Sequence, residues 1–142
     1  MTALSTDRIV IDKREKQPYP FEGAAVIFLK TGDYSIAGYE DRVCVERKRV
    51  AEMFACAGRN RARFERELVR MSKMDYAAIV IEGDMRNLLE RDDYSKVSPK
   101  AVINSVISWS VQHNVNVWLA GNRTLGRAAT YRILEKFWKY RR

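Results

Sequence analysis

Hydrophobic residues near the start of the chain come in short runs that charged or turn residues interrupt. Four of these runs are rich in valine, isoleucine or other strand-forming residues, and they predict β-strands at about 8–12, 25–29, 34–37 and 43–46. Pro18 and Pro20 place a loop between the first two runs, because a proline restricts its predecessor to extended geometry. The beginning of the chain is therefore predicted to be strand-rich.

Helical spacing begins after Lys48. Phe64, Leu68 and Met71 form one apolar stripe of a helix predicted from about 60 to 73. Ser98 and Pro99 suit the cap and first position of a second helix, which runs to about residue 113. Its predicted interior residues are Val102, Ile103, Val106 and Ile107.

Two further apolar runs, 76–82 and 115–120, predict strands that alternate with these helices. A terminal helix follows Gly121 and Asn122, and its apolar repeat consists of Leu125, Ala129, Ile133 and Phe137. Since 142 residues suffice for one core but not for two, we expect a single α/β domain. Its mixed sheet should be antiparallel at the start and parallel later, with helices on both faces.

The net charge of the chain indicates a class of possible binding partner. The chain has 26 Lys and Arg against 18 Asp and Glu, a net charge of +8, which favours a polyanion such as DNA or RNA. A basic protein with no such partner is the alternative. Cys44 and Cys56 are interpreted as buried, reduced thiols. No segment has the apolar length of a signal peptide or a membrane span, so we expect a cytoplasmic protein, or a nuclear one in a eukaryote.

Acidic residues stand where the predicted strands begin or end. The candidate catalytic residues are Asp12, Glu15, Asp33, Glu46 and Lys48. Strand ends can bring distant residues together, and Glu46 shares a face with Lys48 if its strand continues. Converging carboxylates suit Mg²⁺, which lowers the pKa of a bound water and neutralises charge on a phosphate. A neighbouring lysine can orient that water or stabilise the phosphorus centre. Taken singly, each acid is more often an ordinary turn residue or part of a surface pair than a catalytic group.

The joint pattern resembles the XPF-type nuclease domain. That family has Asp-x-Arg-Glu, then Gly-Asp, then Glu-Arg-Lys-x-x-x-Asp, and this chain has the three blocks in the same order at 12–15, 32–33 and 46–52. The proline-rich 17–21 segment and Arg63-Phe64 also resemble the family. The similarity extends from about Arg8 to Phe137. One position departs from the pattern, because Glu52 stands where the family has its final aspartate.

The resemblance implies a restriction-endonuclease-like core that cuts DNA with Mg²⁺ or Mn²⁺. It implies metal ligation by Asp33 and Glu46, joined by the Arg47 backbone carbonyl and, directly or through water, by Asp12. Glu15 belongs to the same acidic cluster, and Lys48 positions water or stabilises charge. The resemblance also implies a supporting role next to these ligands for Arg14, Arg47 and Glu52.

DNA contacts are predicted on an arginine stripe of the helix after the last motif. Its members are Arg59, Arg63, Arg66 and Arg70. A salt-bridged solvent face is the alternative, because Glu65 and Glu67 flank the stripe. Family nuclease domains often pair, and Trp138 and Tyr140 in the terminal helix suit either a homodimer face or the core. We expect residues 1–142 to be one nuclease domain, with a core of about 8–138, no helix-hairpin-helix domain and no organic cofactor.

Three functions follow as hypotheses. The first is a DNA endonuclease selective for branched, flap or nicked DNA in repair or recombination. The second is a catalytically weak module that binds DNA or a partner. The third is an RNA-directed phosphodiesterase.

Overall fold

A computed structural model describes residues 3–90 and 95–142. The strands are β1 (Ile9–Asp12), β2 (Ala25–Ile27), β3 (Tyr34–Ile36), β4 (Val43–Lys48), β5 (Tyr76–Ile81) and β6 (Asn116–Leu119). The helices are α1 (Val50–Ala57), α2 (Arg61–Met71), α3 (Met85–Leu89), α4 (Pro99–His113) and α5 (Arg123–Tyr140). A short 3₁₀ turn at Thr6–Arg8 precedes β1. The alternation of strands and helices predicted from the sequence is confirmed.

The strands form one sheet in the order β2-β1-β3-β4-β5-β6. β3 lies antiparallel between β1 and β4, whereas β4, β5 and β6 run parallel. This mixed sheet confirms the predicted fold class. β4 continues to Lys48 rather than ending at residue 46, so Glu46 and Lys48 do share a face of the sheet.

The first pair of strands does not have the predicted orientation. β2 runs parallel to β1 at the edge of the sheet, with Val10 opposite Ala25 and Asp12 opposite Ile27. A parallel neighbour needs a crossover of about a dozen residues or more. The connection over residues 13–24 has that length, and a hairpin does not. The expectation of an antiparallel start was therefore wrong for β2, although it holds for β1, β3 and β4.

Helices cover the two faces of the sheet separately. α1, α2 and α4 pack over one face around Phe64, Leu68 and Trp109, and this side also receives Cys44 of β4. α5 packs on the opposite face, where Val43 and Val45 join residues from β1 and β3. Since side chains alternate along a strand, Glu46 and Lys48 point toward the α1–α2–α4 side and Arg47 toward the α5 side. One strand thus supplies functional groups to both layers.

The helix caps agree with the sequence better than the helix faces do. Ser98 and Asn122 each accept a hydrogen bond from the backbone N–H three residues later, as expected of N-caps. The predicted stripe of α4 was partly wrong, because Ile107 is 54% exposed while Trp109 is buried. In α5 the buried positions are Gly126, Thr130, Leu134, Phe137 and Trp138, one step from the predicted repeat except at residue 137.

Close packing explains the shift of the α5 stripe. A Cβ atom at Gly126 would lie 2.5 Å from the Tyr19 hydroxyl, so only glycine lets this helix approach the 13–24 connection. Trp138, offered from the sequence as a homodimer residue or a core residue, is 7% exposed and packs edge-on against Tyr39. Cys44 and Cys56 are buried free thiols, as predicted. No helix in the described part of the chain is both long and apolar enough to cross a membrane.

Candidate active site

Strand register places three of the predicted acids side by side on one face of the sheet. Ile11 pairs with Tyr34, and Tyr34 pairs with Val45. The next positions along these ladders are Asp12, Asp33 and Glu46. The Asp12 N–H donates to the Asp33 carbonyl at 2.8 Å, and the Asp33 N–H donates to the Val45 carbonyl at 2.9 Å. The convergence expected from separate motifs therefore results from pairing of neighbouring strands.

Asp33 is held in place by the backbone on both sides of it. Gly32 has φ +83°, and a Cβ there would lie 2.6 Å from the Cβ of Cys44, which accounts for the glycine of the Gly-Asp motif. The Asp33 Oδ2 accepts the Arg47 N–H at 2.8 Å. Burial, with the nearby charge of Glu15, raises the pKa of Asp33 to about 7. The carboxyl is thus fixed in position but is costly to ionise.

Glu46 and Lys48 form a pair beneath α2. Lys48 Nζ lies 3.1 Å from Glu46 Oε2 and 5.3 Å from the centroid of the Phe64 ring. Burial and the charge of Asp33 raise the pKa of Glu46 well above its ordinary value. Burial alone would lower the pKa of Lys48, but the carboxylates of Glu46 and Asp33 hold it above its ordinary value. Lys48 is therefore an ammonium group at neutral pH, and it acts as a donor and a charge.

A third acid, Glu67, joins this pair from α2. Its carboxyl group lies close enough to contribute to the raised pKa of Glu46, and its charge also acts on Asp33. The sequence interpretation placed Glu67 beside the arginine stripe, as a possible surface partner. Spacing alone did not distinguish the two acids, because Glu67 follows the buried Phe64 by three positions and Glu65 precedes the buried Leu68 by three.

On the α5 side, a network around Arg47 supports the same strand. Arg47 Nε donates to Glu82 at 2.8 Å, its Nη1 donates to the Gln17 carbonyl at 2.9 Å, and the guanidinium lies 4.6 Å from the Tyr19 ring centroid. Tyr19 in turn donates its hydroxyl hydrogen to Glu82. Neither Tyr19 nor Glu82, the last residue of the predicted 76–82 strand, was among the predicted site residues.

Glu15 links this network to the acids of the opposite face. Its carboxylate lies 3.5 Å from Arg47 Nη1, and after burial it contributes to the raised pKa of Tyr34. Its charge contributes to the raised pKa of Asp33. Glu15 therefore stands beside the cluster, as the sequence suggested, but its close partners are Arg47 and Tyr34.

Asp12 binds the segment of the chain that follows β2. Its Oδ1 accepts the Leu29 N–H at 3.0 Å, and its Oδ2 accepts Arg14 Nε at 2.9 Å. Arg14 also donates to the Leu29 carbonyl at 2.8 Å. One oxygen of Asp12 thus holds the segment after β2 directly and the other does so through Arg14, while metal ligation by Asp12 stays a prediction.

Glu52, the departure from the family pattern, caps α1. Its Oε1 accepts the Arg49 N–H at 3.0 Å, which is the contact that a glutamate at the third helical position makes in a capping box. Burial would raise the pKa of Glu52, but this hydrogen bond and the charge of Lys48 lower it overall. The longer side chain suits the capping contact, which accounts for a glutamate here.

The predicted arginine stripe divides into two parts. Arg59 lies in the turn between α1 and α2, so it is not on the helix. Arg63, Arg66 and Arg70 are exposed on α2. The two acids that could have paired with them face elsewhere, since Glu65 contacts Arg61 and Trp109 while Glu67 contacts Glu46. At about 100° per residue, Arg63 and Arg70 lie within about 60° of Glu67. The basic face of α2 therefore borders the acidic cluster.

The donor set fits a hard divalent cation such as Mg²⁺. Such an ion commonly takes one or two carboxylates and retains several waters. Across residues 3–90 and 95–142, no group of three or more His, Cys, Asp or Glu side chains is arranged to hold a metal by itself. Asp33 and Glu46 offer two carboxylates, and burial together with neighbouring acids raises the pKa of both. A strand residue directs its N–H and C=O to the same side, so the Arg47 carbonyl points toward β3, as its N–H does.

Comparison with known proteins identifies the family. The ERCC4 domain model matches residues 11–137. The chain belongs to the ERCC4 domain family. XPF from Aeropyrum pernix has a similar fold, with a TM-score of 0.69 and 18% identity over 94% of this chain and 66% of that one. Its complex with DNA gives a TM-score of 0.68 and 19% identity over 95% of this chain and 66% of that one. No curated protein sequence matches.

These findings confirm the XPF-type nuclease domain and the restriction-endonuclease-like fold that the three motifs implied. At this level of identity the two structures establish the fold alone. The chain spans just under two thirds of the length of these relatives, so their activities and partners come to it only as proposals.

Replacing Asp33 with asparagine should stabilise the metal-free protein. The folded-state pKa of about 7 lies above the ordinary 3.8, so stability is lost as pH rises from about 4 through 7 and Asp33 ionises. Asparagine keeps the acceptor for the Arg47 N–H and removes that loss. Thermal melts in EDTA should show a larger gain at about pH 8 than at about pH 5. A variant less stable than wild type at both pH values would contradict the loss of stability assigned to ionisation of Asp33.

Replacing Glu67 with glutamine should weaken metal binding without unfolding the protein. The amide has nearly the same size but removes one negative charge from the cluster, so Mn²⁺ affinity should fall on the order of tenfold. Calorimetric titration of Mn²⁺ measures this change. Glu65→Gln is the matched control, because it alters charge equally on the same helix but contacts Trp109 instead. Equal effects of both variants would remove Glu67 from the site.

Proposed function

We propose that this chain is a metal-dependent endonuclease that hydrolyses phosphodiester bonds in DNA. The observation that carries the proposal is the placement of Asp33, Glu46 and Lys48 on one face of adjacent strands in an ERCC4 domain. Two carboxylates beside one ammonium group suit the charges of a phosphodiester reaction. Family membership supports a nuclease, while the metal requirement and the DNA structure preferred are our inferences.

Asp33 and Glu46 would hold the metal, together with the Arg47 carbonyl. Mg²⁺ or Mn²⁺ bound there would lower the pKa of water and neutralise charge on the scissile phosphate. Its charge would also favour the ionised form of both acids, whose pKa values are raised by burial and by neighbouring carboxyl groups. Glu67 would contribute through its contact with Glu46, and Asp12 would act by holding the β2–β3 segment in place.

Lys48 would act as a hydrogen-bond donor to the reacting phosphate or to the attacking water. Its pKa is raised above the ordinary value, so it is unsuited to accept a proton near neutral pH. The phenyl ring of Phe64 and the Glu46 carboxylate restrict where Nζ can lie. The Arg47 network fixes the strand between Glu46 and Lys48 from the other side of the sheet.

DNA would approach along the basic face of α2. Arg63, Arg66 and Arg70 would contact backbone phosphates, with Arg59 in the preceding turn. We propose selectivity for branched, flap or nicked DNA, in accordance with the family, and a site of action in the cytoplasm or, in a eukaryote, the nucleus. Similarity to the Aeropyrum pernix XPF–DNA complex supports a DNA partner.

Pairing of two copies through the nuclease domain also stays a prediction. An apolar groove of about 430 Å³ lies between α5 and the β5–β6 edge, where Trp118 is 50% exposed and Tyr140 is 66% exposed. Tyr140 remains available for such a contact, whereas the buried Trp138 does not. Sedimentation equilibrium of the free protein would report its oligomeric state.

Lys48→Ala should reduce DNA cleavage by at least on the order of 100-fold, the usual loss when one stabilising donor is removed. The measurement is single-turnover cleavage of a panel of flap, fork, nicked, single-stranded and duplex DNA with Mg²⁺ or Mn²⁺. Lys73→Ala is the control, because Lys73 is exposed near the start of β5, at the other end of the sheet. Absence of cleavage by wild type on every DNA would overturn the proposal. Faster cleavage of RNA of matched structure would instead favour an RNA-directed phosphodiesterase.

The α2 arginines give a separate prediction about DNA affinity. Replacing Arg63 and Arg70 together with glutamine should weaken binding at any sequence and reduce the salt slope by about 0.9 for each lost phosphate contact on duplex DNA. Fluorescence anisotropy over a salt series in EDTA measures the slope without cleavage. Arg86→Gln and Arg132→Gln together match the change in charge away from α2. A slope unchanged from wild type would show that this face does not contact DNA.

A further inference from the structure

An exposed aromatic ring stands at the edge of the sheet next to the candidate active site. β2 is the outermost strand, and two alternate residues, Val26 in its middle and Phe28 just after its end, are 60% and 58% exposed. A large apolar side chain on an edge strand normally invites pairing or aggregation unless charges accompany it. The charged side chains that lie next to Phe28 are both positive.

Two cations from the first motif lie over this ring. The Arg14 guanidinium carbon is 4.7 Å from the ring centroid of Phe28, and Lys13 Nζ is 5.8 Å away. Arg14 cannot swing freely, because it donates to Asp12 at 2.9 Å and to the Leu29 carbonyl at 2.8 Å. Its side chain nevertheless remains 60% exposed. The structure thus presents a ring and a fixed planar cation together on its surface.

The segment that carries Phe28 leads directly into the acidic cluster. Asp12 holds its next residue by accepting the Leu29 N–H, and the Asp12 N–H donates to the Asp33 carbonyl at 2.8 Å. Phe28 precedes Asp33 by five residues, which span at most about 18 Å when extended. The ring therefore lies within a few nucleotides' reach of the proposed cutting position.

We propose that Phe28, Arg14 and Lys13 form a stacking site for an unpaired base of the DNA strand that enters the active site. This inference rests on the proposed function and specifies its substrate, DNA with a single-stranded segment beside the cut. Aromatic rings and guanidinium planes stack on unpaired bases of any sequence, and nearby cations contact the adjoining phosphates. In an intact duplex both faces of each base are covered by neighbours, so the site would discriminate against it.

The charge around the ring favours this occupant over an apolar protein surface. Burying Phe28 against another protein would also bury the Lys13 and Arg14 cations, which lose hydration unless acids meet them. A nucleic-acid strand supplies both a flat base and phosphate charge. A second copy of the chain or another protein would be revealed by the same experiment.

The test compares two DNAs with the same duplex, one blunt and one with a single-stranded arm that carries 2-aminopurine at the junction. Binding is measured in EDTA by anisotropy, and stacking by quenching of the 2-aminopurine. Phe28→Ala should weaken binding of the armed DNA on the order of tenfold and abolish the quenching. Binding of the blunt duplex should change by less than about twofold. Phe28→Trp should preserve both signals, and Val26→Ala, its exposed neighbour, serves as the matched control.

Equal losses on the two DNAs, or unchanged quenching in Phe28→Ala, would overturn the stacking site. A sedimentation coefficient that changes in Phe28→Ala without DNA would overturn it in favour of a contact between copies. The proposed nuclease activity can fail separately. In that case the wild-type protein quenches the 2-aminopurine fluorescence of the DNA with the single-stranded arm, and Phe28→Ala does not. Neither DNA is cleaved when Mg²⁺ or Mn²⁺ is added.

Discussion

Two carboxyl groups are held next to each other on the face of the sheet that α2 covers, with one partly buried ammonium group beside them. Asp33 and Glu46 cannot separate, because β3 and β4 are fixed by their pairing and by the Arg47 N–H. Lys48 offsets part of the repulsion, while Glu15 and Glu67 add to it. In the metal-free protein this arrangement lowers the free energy of unfolding, as is common at functional sites. A divalent cation would turn the same arrangement into a stabilising one.

The surrounding structure can be understood as support for that cluster. Gly32 lets the chain pass close to Cys44 so that Asp33 reaches β4. Asp12 binds the segment that leads to Asp33, and Glu52 caps the helix that begins just after Lys48. On the far face, Tyr19 and Glu82 hold Arg47, and Gly126 allows α5 to pack over Tyr19. Acidic and basic residues that look alike in sequence thus have distinct tasks.

Much of the site could be predicted from the sequence because its residues are next to one another on single strands. Glu46 and Lys48 share a face once β4 continues, and Asp33 follows a glycine that the turn requires. Glu67 could not be ranked above Glu65 in this way, since only the docking of α2 decides which acid reaches the sheet. Likewise, the direction of β2 depends on a crossover, and the buried stripe of α5 depends on the contact between Gly126 and Tyr19.

We propose that Asp33, Glu46 and the Arg47 carbonyl bind one divalent cation. A crystal structure with Mn²⁺, using its anomalous scattering to locate the ion, tests this most directly. We expect a peak about 2.1 Å from an oxygen of Asp33 and of Glu46 and from the Arg47 carbonyl. Manganese bound elsewhere, with these two carboxyl groups still in contact with protein groups alone, would contradict the account.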